Sequence, residues 1–277
     1  MSGNSTDTRI RTKTGIVMAL VVCFALLFSH VDWLLRSAVI VLSFLGVWEL
    51  YGAVKLEGTK GIVALLLTVS VAVIVSPYCG YPKVVSIAFP VYVILGIAHM
   101  LLVGKQEKVS LWCSIAMGMC ITLFFWTAAE LRTMEQGFYL LTAPILTCAL
   151  TDVAAYFVGR RFGKRKLAPK VSPKKTVAGF VGGTVAAVVI MLLAALVLNA
   201  CGMIHVQFGK LTLYLLLTSL MGQLGDLILS AVKRICGIKD FASWFPGHGG
   251  VLDRCDSHLA ALPFTYLFVT CAGTFLT

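Results

Sequence analysis

Residues 230–256 read SAVKRICGIKDFASWFPGHGGVLDRCD and lie between two runs of almost purely apolar residues. The stretch holds seven Lys, Arg and Asp residues, one His and the glycine-rich turn PGHGG at 246–250. An ionisable group in lipid hydrocarbon is costly unless it pairs, meets water or acts on a ligand. Charge that is concentrated between two apolar runs therefore indicates a functional site at a membrane surface.

The composition of the chain is typical of a membrane protein. Hydrophobic residues make up 59% of the 277 residues, charged residues only 13%, and the mean hydropathy is +0.93. These values exclude an ordinary soluble domain and predict an all-α, polytopic integral membrane protein. Apolar stretches long enough to cross about 30 Å of hydrocarbon predict about nine transmembrane helices, near 14–29, 34–53, 61–77, 84–103, 109–129, 138–158, 177–200, 211–232 and 257–276.

The basic residues predict the orientation of these helices. With a cytosolic N-terminus, 19 of the 23 Lys and Arg residues fall on the inner side, as the positive-inside rule requires. A secretory signal peptide is the alternative for the first stretch, but no small-residue cleavage pattern follows Ser29. We therefore expect a cytosolic tail over 1–13, N-terminal transmembrane helices over 14–137 and a C-terminal catalytic transmembrane region over 138–277.

The C-terminal region carries the charge pattern of a functional site. Asp152 and Asp226 interrupt apolar stretches, and the two inner loops, 159–176 and 233–256, hold 12 of the 19 inner basic residues. Because the net charge of +11 lies on one membrane face, we expect membrane lipids and phosphorylated small molecules as partners, and no nucleic acid. The nine cysteines form no C-x-x-C pair or secreted disulfide framework.

The inner loop at 159–176 reads GRRFGKRKLAPKVSPKKT and precedes an apolar stretch. A helix that begins after Thr176 would direct its N–H groups and its dipole towards an anion, next to Lys174 and Lys175. The alternative is a basic loop that only fixes the membrane orientation. A close approach of another backbone, as in a tight helix pair, is favoured by the glycines that follow, Gly179, Gly182 and Gly183.

Acidic residues on two neighbouring segments predict a magnesium site. Ser230 and Lys233 lie four and seven residues after Asp226 and therefore share its helix face. Asp253 and Asp256 are three residues apart and are expected to project from one face of the next helix. The three carboxylates suit Mg²⁺, which takes few carboxylates and completes its shell with water and phosphate oxygens. An interhelical ion pair and a proton relay are the alternatives for Asp226.

The same residues resemble a known family signature. The matching positions are Ser230, Lys233, Arg234, Lys239, Asp240, Pro246, His248, Gly249, Gly250, Asp253, Arg254 and Asp256. Their identity and spacing resemble the signature of the phosphatidate cytidylyltransferases, also called CDP-diacylglycerol synthases. The resemblance is specific over 150–256 and compositional before it. The chain departs from the pattern at Cys255, at Val177 and Ala178, and at Leu229, and the last two departures remove acidic residues near the site.

The resemblance implies transfer of CMP from CTP to phosphatidate, giving CDP-diacylglycerol and pyrophosphate, with Mg²⁺ as cofactor and a second cation left open. The catalytic residues assigned on this basis are Asp226, Lys239, Asp253, Arg254 and Asp256, of which the three aspartates bind the metal. The residues assigned to substrate binding are Lys174, Lys175, Ser230, Lys233, Arg234, His248, Gly249 and Gly250. The nucleophile is a phosphate monoester that is already anionic at neutral pH, so the reaction requires no catalytic base.

Three alternatives stay open at this point. Buried aspartates also suit a transporter or an ion channel, although the charges lie on one membrane face. A related enzyme that uses CTP on a polyprenol or an ether lipid is the second alternative, and a catalytically inactive homologue is the third. The family resemblance further implies a homodimer, and the length of the chain favours a bacterial inner membrane with the active site on its cytosolic face.

Overall fold

The computed structural model of the chain describes residues 3–54, 105–245 and 249–276. Its helices are, in chain order, α1 (Gly3–Leu27), α2 (Asp32–Val54), α3 (Lys105–Thr133), α4 (Gly137–Phe162), α5 (Val177–Ala200), α6 (Phe208–Ile235), α7 (Leu252–Cys255) and α8 (His258–Ala272). Two short strands, β1 (Lys166–Ala168) and β2 (Ser172–Thr176), lie between α4 and α5. The described residues are therefore mainly helical, and the two strands are an addition to the predicted all-α fold.

Five helices in the described residues are long and apolar enough to cross a membrane, which supports the predicted membrane protein. They are Lys13–His30, Trp33–Ala53, Gly137–Phe162, Val177–Ala200 and Phe208–Ile235. The predicted spans 61–77 and 84–103 lie outside the described residues, and the span 109–129 falls within α3. The last predicted span falls on α8, whose 15 residues cover only about 22 Å. The count of nine and the cytosolic N-terminus stay predictions.

The described residues divide into two compact units. Each unit combines a long segment of the chain with a shorter one from nearer its C-terminus. The first unit takes its residues from Met1–Ala129 and Ile235–Cys255, and the second from Glu130–Arg234 and Asp256–Thr277.

In the first unit, α2 packs against the short helix α7 and against α3. A Cβ added at Gly46 of α2 would lie 3.3 Å from Leu252 of α7 and 3.3 Å from Ile121 of α3. Val47 and Leu50 on α2 are completely buried, as is Ile121. The absence of a side chain at Gly46 therefore allows the three helices to approach one another.

In the second unit, α4 and α5 pack closely because α5 begins with glycines. A Cβ added at Gly179 would lie 2.7 Å from the carbonyl oxygen of Ala155, and one at Gly183 would lie 2.8 Å from the Cβ of Ala155. The third glycine, Gly182, faces Val158 in the same way. These positions leave no room for a side chain, so the predicted close approach of another backbone is confirmed.

A buried polar network joins α4, α5 and α6 within the second unit. The hydroxyl of Ser219 lies 2.9 Å from that of Thr151 and donates to the hydroxyl of Thr184 at 3.1 Å. Gln223 donates to the same Thr184 oxygen at 2.8 Å and to the carbonyl oxygen of Phe180 at 3.4 Å. Hydrogen bonds between apolar helices satisfy polar groups that lipid cannot satisfy, so the network helps to hold the three helices together.

The basic loop between α4 and α5 folds into an antiparallel hairpin, in which Lys166 lies opposite Thr176. Thr176 is the N-cap of α5: its backbone is extended, with φ −123° and ψ 153°, and its hydroxyl accepts a 3.1 Å hydrogen bond from the N–H of Gly179. Such a cap satisfies one of the amide groups that a helix leaves unpaired at its start. The predicted start of a helix after Thr176 is therefore confirmed.

The α4–α5 contact predicts the effect of filling Gly183. Gly183→Ala improves helix propensity by up to about 1 kcal/mol, but its Cβ must push α4 away, and overpacking of this kind costs about 1–3 kcal/mol. We expect a lower melting temperature of the purified protein in detergent micelles. Gly209→Ala, near the start of α6, is the matched control because an added Cβ there meets no atom within 4 Å. Equal melting temperatures for the two variants would contradict tight packing at Gly183.

Candidate active site

Asp226 on α6 lies at the centre of a charged group in the second unit. Its Oδ2 is 2.5 Å from Nζ of Lys175 on β2, and the exposed fractions of the two side chains are only 19% and 25%. Its Oδ1 accepts a 3.1 Å hydrogen bond from the hydroxyl of Ser230, one helical turn later. The predicted shared face of Asp226 and Ser230 is thus confirmed, and the hairpin adds Lys175 to it.

A second carboxylate group of the same unit is organised around Ser257, a buried residue just before α8. Its hydroxyl donates to Oδ2 of Asp152 on α4 at 2.8 Å, and its N–H donates to Oδ1 of Asp256 at 2.9 Å. A Cβ added at Gly225 of α6 would lie 2.8 Å from the carbonyl oxygen of Asp256. These contacts bring Asp152, Asp226 and Asp256 into one region of the second unit.

The electrostatics of this region favour a bound cation. Burial raises the pKa of the Asp256 carboxyl from its ordinary value to about 7, and the negative charges of Asp226 and Asp152 act in the same direction. The charge of Lys233 and the N–H of Ser257 oppose this rise. Carboxylates that repel one another are most readily ionised together when a positive charge is supplied, so the region is suited to a divalent cation.

Asp253 lies in the first unit and holds together the described residues 241–245 and 249–252, which form the signature turn. Its side chain is buried, and its Oδ2 accepts hydrogen bonds from the N–H of Phe241 at 2.8 Å and of Gly250 at 3.0 Å. Helix α7 ends at Cys255, and Asp256 lies in the turn that precedes α8. The expectation that Asp253 and Asp256 project from one face of a single helix is therefore wrong, because this turn interrupts the helix.

The amide groups of the two described turn glycines already have partners within the first unit. Gly249 exchanges backbone hydrogen bonds of 3.0 and 3.2 Å with Phe245, and the N–H of Gly250 donates to Asp253. A phosphate contact through either amide would have to replace one of these bonds. The substrate contacts assigned to Gly249 and Gly250 stay predictions, and His248 lies outside the described residues.

One acidic residue of the first unit is not among the predicted site residues: Glu49 on α2, whose exposed fraction is 3%. Its Oε1 accepts a hydrogen bond from the N–H of Val251 at 2.7 Å, and its Oε2 accepts one from the N–H of Leu252 at 2.9 Å. A carboxylate inside the apolar stretch Trp33–Ala53 is itself a functional signal, because such a group must find a partner. That signal would have identified Glu49.

The other assigned residues differ in exposure. Lys233 is buried, and the exposed side chains are Lys174, Arg234, Lys239 and Arg254. Within the second unit, Nε of Arg234 donates to the carbonyl oxygen of Val171 at 3.4 Å, which joins the end of α6 to the hairpin. Of the positions that depart from the family pattern, Leu229 is completely buried and Ala178 is half-buried.

The described ranges of the chain contain no group of three or more His, Cys, Asp or Glu side chains spaced to hold a metal ion. Mg²⁺ nevertheless needs only one or two protein carboxylates when phosphate oxygens and water complete its shell. Asp226 and Asp256 meet this requirement in chemistry, since both are acidic and partly buried and the negative charge of Asp226 acts on the Asp256 carboxyl. The larger set that adds Asp253 stays a prediction.

The raised pKa of Asp256 predicts that cation binding depends on pH. A proton on Asp256 must leave before a divalent cation binds, so the apparent affinity should fall by up to about tenfold for each pH unit below about 7. Mn²⁺ titrations of the substrate-free protein in acidic and in mildly alkaline buffer, followed by electron paramagnetic resonance, measure this change.

The matched variants for the Mn²⁺ titration are Asp256→Asn and Glu135→Gln. Asp256→Asn should weaken binding and remove its pH dependence, whereas Glu135 is an exposed residue whose neutralisation should alter neither. An affinity of the unmodified protein that is the same in both buffers would show that Asp256 is not the group that releases the proton.

Comparison with known proteins agrees with the signature read from the sequence. The cytidylyltransferase family matches residues 9–272 of the chain. The phosphatidate cytidylyltransferase of Bacillus subtilis is 34% identical over 278 residues, which cover 95% of this chain and 98% of that protein. Proteins of the same name from Staphylococcus saprophyticus and Staphylococcus epidermidis are 39% and 40% identical over 132 residues, which cover 48% of this chain and 49% of each relative. The chain therefore belongs to the cytidylyltransferase family.

Proposed function

We propose that this protein transfers CMP from CTP to phosphatidate, producing CDP-diacylglycerol and pyrophosphate. The observation that carries the proposal is the similarity to the Bacillus subtilis phosphatidate cytidylyltransferase over 95% of the chain, together with the signature residues at 230–256. The same family match favours an enzyme over a transporter or an ion channel. A diacyl lipid is favoured as substrate over a polyprenol or an ether lipid because the relatives are named phosphatidate cytidylyltransferases.

The chemistry of this transfer requires positive charge more than it requires a base. The attacking phosphate of phosphatidate is already anionic, and it must approach a triphosphate of the same sign. Catalysis then rests on in-line positioning and on cations that neutralise charge on the bridging and leaving oxygens. The basic residues assigned to this work are Lys174, Lys175, Lys233, Arg234, Lys239 and Arg254.

Asp226, Asp253 and Asp256 are the residues that would hold Mg²⁺, which supplies charge neutralisation of the phosphates when it is bound. The electrostatic repulsion between Asp226 and Asp256 in the second unit supports their part in this set. Asp253 uses Oδ2 to accept two amide protons, and its part in this set stays a prediction. A second cation remains part of the proposal without a residue of its own.

The proposed location follows from the two substrates. CTP comes from the cytosol, whereas phosphatidate stays in the membrane with its phosphate at the level of the head groups. The excess of Lys and Arg in the loops assigned to the inner side and the bacterial relatives support a bacterial inner membrane with the active site on its cytosolic face. A homodimer is proposed on the family resemblance alone.

Transfer of label from CTP tests the proposed reaction. Purified protein in detergent micelles with phosphatidate and Mg²⁺ should move label from the α-phosphate of CTP into the lipid, and label from the γ-phosphate should stay in water. ATP in place of CTP, or added EDTA, should prevent the transfer. Asp226→Asn should lower the rate by about 100-fold or more, because cation stabilisation supplies several kcal/mol, while Glu135→Gln should keep the full rate.

Other outcomes of the labelling experiment have distinct meanings. Label from the γ-phosphate in lipid would indicate a kinase. Transfer to a polyprenol phosphate or an ether lipid, but not to phosphatidate, would assign a different lipid substrate. No transfer to any lipid would contradict the proposed reaction.

The ion pair of Lys175 with Asp226 predicts that two lysines of the hairpin region behave differently. Lys175→Ala removes the ammonium group beside the catalytic carboxylate and should lower the rate by about 10- to 100-fold, the equivalent of one hydrogen bond to a charged group. Lys170 is exposed in the turn of the same hairpin, and Lys170→Ala should leave the rate unchanged. The initial rate of the labelling reaction measures both, and equal rates would contradict a role for the Lys175–Asp226 pair.

A further inference from the structure

Two carboxylates of the first unit accept three consecutive N–H groups of the signature turn. The N–H of Gly250 donates to Asp253, that of Val251 to Oε1 of Glu49, and that of Leu252 to Oε2 of Glu49. Val251 and Leu252 stand at the start of α7, where a helix leaves its amide groups without partners inside the helix. Glu49, on the apolar helix α2, therefore caps the short helix α7.

The surface of α2 around Glu49 is shaped to receive this turn. A Cβ added at Gly250 would overlap the Glu49 carboxylate, so only glycine allows the turn to approach so closely. One helical turn earlier, Gly46 lies against the side chain of Leu252, which is completely buried. The contact between α2 and the start of α7 therefore includes the backbone of Gly250, the side chain of Leu252 and the carboxylate of Glu49.

We propose that Glu49 is a positioning residue for the cytidylyl transfer. By holding the amide groups of Val251 and Leu252, it sets the direction of α7, and α7 carries the signature residues Asp253 and Arg254. The expected effect on the rate rests on the proposed function. The contact of Glu49 with the two amide groups does not depend on that function. The proposed role places a positioning residue in the N-terminal half of the chain, where the sequence shows no signature.

Other roles for Glu49 fit the contacts less well. A lipid-facing role is excluded by an exposed fraction of 3%. Both carboxylate oxygens accept backbone N–H groups, so these contacts account for the buried charge of Glu49 without a metal ion. The requirement for a carboxylate rather than an amide is geometric, because Gln offers one acceptor oxygen and turns an NH₂ donor towards the second N–H.

Kinetics of Glu49→Gln test the effect on the reaction. Misplacement of catalytic groups by about 1 Å can cost about 100-fold in rate, so we expect kcat to fall by up to about that factor while KM for CTP changes little. Glu49→Asp keeps two acceptor oxygens on a shorter side chain and should recover part of the lost kcat. Glu135→Gln makes the same chemical change at an exposed position and should match the unmodified protein.

Hydrogen–deuterium exchange of the same variants tests the contact independently of activity. In Glu49→Gln, the amides of 250–255 should exchange roughly tenfold faster, as expected for the loss of one hydrogen bond to a charged group, while amides of α5 keep their rates. Faster exchange throughout the protein would overturn the inference in favour of a general structural role, as would unchanged exchange together with unchanged kcat. If the unmodified protein transfers no label, the proposed reaction fails, and the exchange data still decide whether Glu49 holds the turn.

Discussion

Every carboxylate that enters the apolar part of this protein has to be compensated, and the arrangement of the described residues depends on that constraint. The structure meets it in three ways. Glu49 and Asp253 are compensated by backbone amides, Asp226 by the ammonium group of Lys175, and Asp152 by the hydroxyl of Ser257. An uncompensated carboxylate in such surroundings would cost several kcal/mol, so each of these pairings also specifies which segments of chain come together.

The compensated carboxylates have different roles in the two units. In the first unit, carboxylates hold backbone, and their effect is to shape the signature turn and the start of α7. In the second unit, carboxylates lie near one another with basic side chains around them, and their mutual repulsion favours a cation. The first arrangement suits the positioning of groups and the second suits the binding of phosphates and metal, which are the two needs of a phosphoryl-type transfer.

Much of the second unit's chemistry can be predicted from the sequence because that chemistry is local. The four-residue spacing of Asp226 and Ser230 places them on one helix face, and the N-cap at Thr176 follows from a polar residue before an apolar run. The three-residue spacing of Asp253 and Asp256 predicted one helix face, which is correct only if the helix continues. Here a turn separates α7 from α8, so the prediction was wrong. Glu49 stands out in the sequence as a carboxylate inside an apolar stretch, but its partners do not, because they are backbone amides about 200 residues later in the chain and no motif records such a contact.

The sequence by itself determined the membrane class, the concentration of charge in the C-terminal region and the family, because hydropathy, charge sign and motif spacing are properties of residue order alone. Only the tertiary structure decided which acidic residues share a region and which ones hold backbone. It also revealed the hairpin between α4 and α5, which brings Lys175 to Asp226. The physical reason is that hydrogen bonds and ion pairs act over about 3 Å between atoms, and only folding brings residues so distant in sequence within that range.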